Sequence, residues 1–309
     1  GTGSVTELNG ASNITIDANA SGGTSNKYIG IAAFELAEYA NQIGRITLNA
    51  GSSVVVQGNS STSTKYVGIV SFGFYGSEKY TSDVTLNDSY VSVLGGSGSD
   101  NKYGGITVFG SGATVTLNGA SRVFVDAYYG SGGAVFGVIS SGSGNSIALN
   151  GTSLIDVVSQ DSVYTTGVAA DGSDLTVTLG ASSAVKLKVY GGDAGVGIGT
   201  QGGGTSVAMS GESEIEVRGW SVNSLYGIDA GNGANAITLN GGARVAAIGN
   251  FADDVEGIHL NGDGNSVVMN GHALVYAGGY YSIAAAAGIV SRGDYATITM
   301  NDDSRIAVD

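Results

Sequence analysis

A short phrase of the form Val/Ile-Thr-Leu/Met-Asn-Gly-x-Ser-x-Val/Ile-x-Val returns ten times along the chain, with its centre at Leu8, Leu48, Leu86, Leu117, Leu149, Leu179, Met209, Leu239, Met269 and Met300. From Leu117 onward the steps are 32, 30, 30, 30, 30 and 31 residues. A fixed period between about 20 and 50 residues marks a solenoid, whose repeats cannot bury an apolar face alone and must stack to make a core. Residues 1–309 are therefore read as one continuous array rather than two domains. The first steps, 40, 38 and 31, assign longer insertions to residues 1–112, while 113–309 carries regular repeats of about 30 residues.

Within a repeat the apolar residues alternate. Ile237 and Leu239 flank Thr238, the period of two expected of a strand with one buried face. Asn240-Gly241 then turns the chain, since both residues tolerate left-handed backbone angles cheaply. A second alternation places Val245 and Ala247 inward. A third strand is signalled by a recurring Gly-Ile or Gly-Val pair, as at Gly197-Ile198, Gly227-Ile228 and Gly257-Ile258. Three strands and three bends per repeat describe a rung of a triangular, single-stranded parallel β-helix. It is expected to be all-β, right-handed and built of about ten rungs spaced about 4.8 Å apart. The residue after each Leu or Met is mostly Asn (Asn9, Asn49, Asn87, Asn118, Asn150, Asn240, Asn270, Asn301), a column suited to amide hydrogen bonds from rung to rung. Charges fall into columns too: Asp156, Lys186 and Glu216 share one, and Glu214 and Arg244 another. The stretch Phe34–Ile43 reads as a short helix within an insertion.

Composition removes several classes of function. With 26 acidic against 12 basic residues and a formal net charge of −14, the chain is a poor match for nucleic acid. It has no Cys, hence no disulfide framework and no thiolate metal site, and no apolar run long enough for a membrane helix, so this segment is not expected to insert directly into a membrane. The 54 Gly residues accompany 42% apolar residues at even spacing, so a packed core is feasible. The chain opens and closes inside the repeat pattern, as a piece of a longer protein would, and no signal segment or translocating barrel is legible.

Candidate chemistry is sparse. The outward column of the third strand brings Asp229 beside His259, with Asp254 and Glu256 nearby, the one acid–imidazole grouping in the sequence. Catalysis needs converging geometry that one such pair does not establish, so no catalytic residue is assigned and the chain is read as a non-enzyme. His259 and His272 belong on different faces, which argues against a His-based metal centre. The oxygen-rich turns Asn261–Asn265 and Asn301–Asp303 lack any calcium-loop pattern and read as polar bends. No metal or cofactor site is expected. Aromatic residues are the more informative signal: Tyr128, Tyr129, Tyr190, Trp220, Phe251, Tyr280 and Tyr281 recur about eleven or twelve residues after the Leu or Met, between strands two and three. Either each ring caps its own rung, or together they form a stripe for a protein or glycan partner, since exposed Tyr and Trp dominate binding hot spots. Lys27-Tyr28, Lys65-Tyr66 and Lys102-Tyr103 recur only in the early repeats and make Tyr28, Tyr66 and Tyr103 secondary binding candidates.

The phrases VTLNGASRVFVD, IALNGTSLIDV and ITLNGGARVAAI resemble the passenger regions of autotransporter (type V secreted) adhesins, the AIDA-type and self-associating group with a pectin-lyase-like β-helix. The likeness runs the whole length. It implies a passenger at the bacterial cell surface, anchored at the outer membrane or secreted. Its partners would be a host-surface protein or glycan, or an identical rod in cell–cell aggregation and biofilm. Two alternatives stay open: a polysaccharide-degrading lyase or hydrolase, and a structural surface or phage fibre.

Overall fold

The computed structural model describes residues 5–17, 27–35, 43–58, 65–73, 81–95, 102–128 and 133–309. Among them every regular element is a strand and every strand pairing is parallel, so the molecule is an all-β parallel solenoid. The first face is a ten-stranded sheet that takes one strand from each repeat. Its register puts Leu8, Leu48, Leu86 and Leu117 side by side, and continues through Leu149, Leu179, Met209, Leu239 and Met269 to Met300. The second and third faces together make the remaining 17 strands, and in two repeats (Leu154–Ala170 and Ala184–Thr200) the strand runs on through the corner between them. The expected helix is not formed at its ends: Phe34 closes the strand Lys27–Glu35 and Ile43 opens Ile43–Asn49, while 36–42 lie outside the described residues.

Inside, the columns fill the core as the alternation demands: Leu239, Val245, Val275 and Ile258 are all fully buried. The corner after each Leu or Met turns on left-handed backbone. Gly241 has φ 70°, and where the Asn-Gly pair is replaced by Gly180-Ala181 it is Ala181 that takes φ 53°. The Asn column forms its ladder. Asn49 Nδ2 donates to Asn9 Oδ1 at 2.9 Å, Asn87 to Asn49 at 2.7 Å, Asn118 to Asn87 at 2.9 Å, Asn150 to Asn118 at 2.9 Å, and the run resumes at Asn270 and Asn301 after the interruption at Gly180 and Ser210. The Gly of each Gly-Ile pair is a packing requirement. A Cβ on Gly197 would stand 2.4 Å from both Ile215 Cγ2 on the second face and the Gly227 carbonyl oxygen of the next rung, so nothing larger fits.

The charge columns exist: Glu214 pairs with its register partner Arg244 as the column implies, while Lys186 pairs diagonally. Lys186 is in register with Asp156 and Glu216, yet its ammonium reaches Glu214 at 2.7 Å. Glu214 also binds Arg244, which bridges to Glu216 at 3.1 Å, and Arg218 closes on Glu216 at 2.6 Å. The result is a five-residue network on the second face rather than isolated pairs. Burial pushes the Glu216 carboxyl up, but the bonds from Arg218 and Arg244 outweigh it, and the net effect holds Glu216 below the usual Glu range.

Candidate functional site

The corner between the second and third faces carries the aromatic residues. Tyr190 and Trp220 are paired across adjacent strands, near the ends of their second-face segments. The next position is a left-handed corner in successive repeats: Asp161 (φ 52°), Gly191 (73°), Ser221 (56°) and Phe251 (56°). The corner geometry turns these side chains away from the core. Tyr128, Tyr190, Trp220, Phe251, Tyr280 and Tyr281 are between 38% and 84% exposed, so they do not cap the interior. Among the described residues all but Tyr280 touch a neighbouring ring instead, in two clusters. Tyr128 meets Tyr190 edge-on at 5.4 Å, Trp220 meets Phe251 at 5.4 Å and Tyr281 at 5.7 Å, and Phe251 stacks on Tyr281 at 5.2 Å with 5° between planes. Tyr129 lies outside the described residues. Phe251, like Tyr295 (φ 60°) outside the stripe, is a bulky residue at positive φ, which costs on the order of 1–3 kcal/mol, and its ring is nearly half exposed rather than contributing to the core.

The third face carries the other grouping. The register aligns Ile139, Ala169, Gly199, Asp229, His259 and Val290 in one outward column, as the sequence suggests. His259 Nδ1 donates to Asp229 Oδ1 at 3.0 Å and lies 4.0 Å from Glu256 Oε2, and the Tyr226 ring stacks on the imidazole at 5.4 Å. His259 is only 8% exposed despite facing outward, because its neighbours wall it in. Its Nε2 and the Glu256 Oε2 are buried without a hydrogen-bond partner. Buried polar atoms are nearly always paired, so two orphans in one cluster mark it as unlike the rest of the surface. Desolvation pushes the Glu256 carboxyl above its ordinary range despite the opposing imidazole. Among the described residues, no group of His, Cys, Asp and Glu side chains is arranged to hold a metal ion. His272 is far from His259 in the rung, in the turn between the strands Ser266–Met269 and Leu274–Gly278, exposed beside Asp303 at 3.6 Å.

Two of the secondary candidates are corrected by burial. Tyr66 and Tyr103 are 0% and 1% exposed and belong to the core, with Tyr28 packed against it. The three rings stack at 5.5 and 5.3 Å, because Lys27-Tyr28, Lys65-Tyr66 and Lys102-Tyr103 open the third strand in register and the Tyr takes the inward position. The lysines are the exposed members of these pairs. In the polar turns, Asp263 Oδ1 accepts from the Asp294 amide at 2.7 Å and Asp302 Oδ2 from Gly271 at 3.1 Å, so these oxygens hold neighbouring rungs together. Sequence reasoning missed Tyr164, which is 55% exposed on the third face beside Ala194. It falls outside the aromatic period, although its place in an otherwise polar stretch was legible. Among the described residues no helix is long and apolar enough to cross a membrane. No protein-family model, curated protein or solved structure matches the chain.

Proposed function

We propose that this chain is an adhesive rod, the displayed part of a bacterial surface protein of the autotransporter kind, which attaches cells to a host surface or to one another. The observation that carries this reading is the exposed aromatic corner. Its rings support each other across rungs, contribute nothing to the core, and at Phe251 persist against backbone strain. Rigid aromatic rings offer large contact area with few torsions to freeze, and contacts repeated along a rod add as avidity. The resemblance in the repeat phrases points the same way, and so does the parallel solenoid.

The test is adhesion of beads coated with the chain to epithelial monolayers, and bead–bead clustering, before and after replacing Tyr190, Trp220 and Phe251 together by Ala. Adhesion should fall at least tenfold, since each hot-spot ring carries about 2 kcal/mol or more. The unfolding midpoint should hardly move, because surface changes stay within about 0.5 kcal/mol. Phe251→Gly is the complement: it should stabilise the fold by about 1 kcal/mol through relief of the left-handed strain while weakening adhesion. Full adhesion by a folded triple variant would remove the corner from the mechanism. The enzymatic alternative has one observation in its favour, the Asp229–His259–Glu256 cluster. Release of reducing or unsaturated ends from polysaccharides, abolished by His259→Ala, would establish it in place of simple adhesion.

A further inference from the structure

The outer surface of the third face is not flat, and the reason is the size of successive side chains in one column. Ile139 is followed rung by rung by Ala169, Gly199 and then Asp229, while the parallel column runs Phe136, Thr166, Val196, Tyr226. Larger residues at both ends with smaller ones between them leave a groove of about 710 Å³. That lies within the range of about 300–1,000 Å³ usual for ligand clefts. It spans three rung steps, about 14 Å at strand spacing.

Its lining has a distinctive charge. Asp171, Asp193 and Asp229 face the groove, and among the described residues no Lys or Arg does. Asp171 accepts from the Ser141 hydroxyl at 2.7 Å, Asp193 from the Asn223 amide at 3.2 Å, and Asp229 from His259. Among the described residues none of the three is paired with Lys or Arg, whereas Asp83, Asp156, Glu214 and Glu216 on the other two faces all are. The exposed Tyr164 and the half-buried Tyr226 add ring faces along the same groove. Behind its Asp229 end sit the buried His259 and Glu256 with their unpartnered Nε2 and Oε2. Low-dielectric walls lined by one sign of charge concentrate the opposite sign.

We propose that this groove binds an oligosaccharide carrying free amino groups. Carboxylates at both rims receive the ammonium groups, amide and hydroxyl side chains meet the sugar hydroxyls, and the tyrosines offer faces both to the apolar side of a sugar ring and to a cation. Uronate or sulfated chains are repelled. In-register Lys27, Lys65 and Lys102 lie further toward the N-terminal end of the same face, so ammonium binding is confined to the aspartate end. The site is separate from the aromatic corner, and either can exist without the other.

Titration calorimetry with a β-1,4-linked glucosamine hexamer decides the matter, with its fully N-acetylated counterpart, a galacturonate hexamer and hexalysine as comparators. The glucosamine hexamer should bind, at least tenfold more tightly than the acetylated chain, and more weakly as salt rises. The galacturonate should not bind. Asp193→Asn with Asp171→Asn should cost at least tenfold, and Ala169→Leu, which fills the floor, should abolish binding. All variants are checked for an unchanged circular dichroism spectrum, and the Asn pair stands alone if Ala169→Leu does not fold. The Trp220→Ala variant should bind as the parent does, which separates this site from the corner. Hexalysine binding as tightly as the glucosamine hexamer would make the groove a peptide site and overturn the proposal. So would glucosamine binding that is unaffected in the Asn pair, or no binding at all.

Discussion

The second and third faces are built from the same repeat and share one interior, yet they treat charge in opposite ways. On the second face, Lys186, Glu214, Glu216, Arg218 and Arg244 neutralise each other across three rungs. On the third, Lys27, Lys65 and Lys102 stand in register with like charges, and Asp171, Asp193 and Asp229 have no Lys or Arg partner among the described residues. Like charges directly opposite on neighbouring strands destabilise a sheet. The second face has one such like-charge neighbour pair, Lys188 beside Arg218, but there Arg218 is held by Glu216, whereas the third face keeps its lysines without an opposite partner in the same column among the described residues. The contrast separates a structural wall from a surface free to engage something else.

The sharpest way to break the comparison is through the interior the two faces share. Gly197 on the third face rests against Ile215 of the second, and Gly197→Ala should cost about 3 kcal/mol in chemical denaturation, at the upper end for overpacking. A cost below about 1 kcal/mol would mean that the faces are less tightly coupled than their contacts indicate.

Acid titration sharpens it with a smaller effect of opposite sign on each face. Glu216 titrates below its unfolded value, so its stabilisation is present above the ordinary Glu range and is lost as pH falls through the folded value. Glu256 titrates above its unfolded value, so its charged form burdens the fold at neutral pH and the burden lifts as pH falls through that raised value. Glu216→Gln should therefore lower stability at pH 7, by about 1 kcal/mol or less given its partly exposed partners, and flatten the acid limb of the profile. Glu256→Gln should raise stability at pH 7 and leave it unchanged in acid. Parallel changes in the two variants would contradict the distinction between the faces.

The smallest effect is at the lysine column. Lys65→Glu converts three like charges into an alternating set and should add up to about 0.5 kcal/mol, detectable as a modest rise in melting temperature that salt removes. A loss of stability would show that the column is already compensated.

Much of this was legible in the repeat phrase. The Leu/Met column, the Asn ladder, the Asn-Gly corners and the Asp229–His259 neighbourhood all follow from counting about 30 residues, since strands that stack in register must place equivalent positions side by side. The aromatic period was legible as well, but its meaning was not. Tyr66 and Tyr190 are both aromatic residues near the same corner, yet one is buried and the other 41% exposed. Tyr66 aligns with Gly195, five residues beyond Tyr190 and across the corner, where it takes an inward position of the third strand, whereas Tyr190 takes an outward position at the end of the second-face segment. The helix expected at Phe34–Ile43 failed at both ends because parallel pairing with the next repeat (Phe34 beside Phe72, Ile43 beside Thr81) outweighs local helical preference.

The sequence alone determines the period, the three-strand rung, the register and the apolar interior, because these depend on residues matched to themselves from one repeat to the next. Only the tertiary structure decided the diagonal contacts of the ion network (Lys186 to Glu214, Arg244 to Glu216), the outward turn of the aromatic corner, the walled-in His259 and the groove beside it. Each of these arises between unlike residues on different rungs. Their contacts depend on side-chain reach and on the angle of a bend, which no column of equivalent positions encodes.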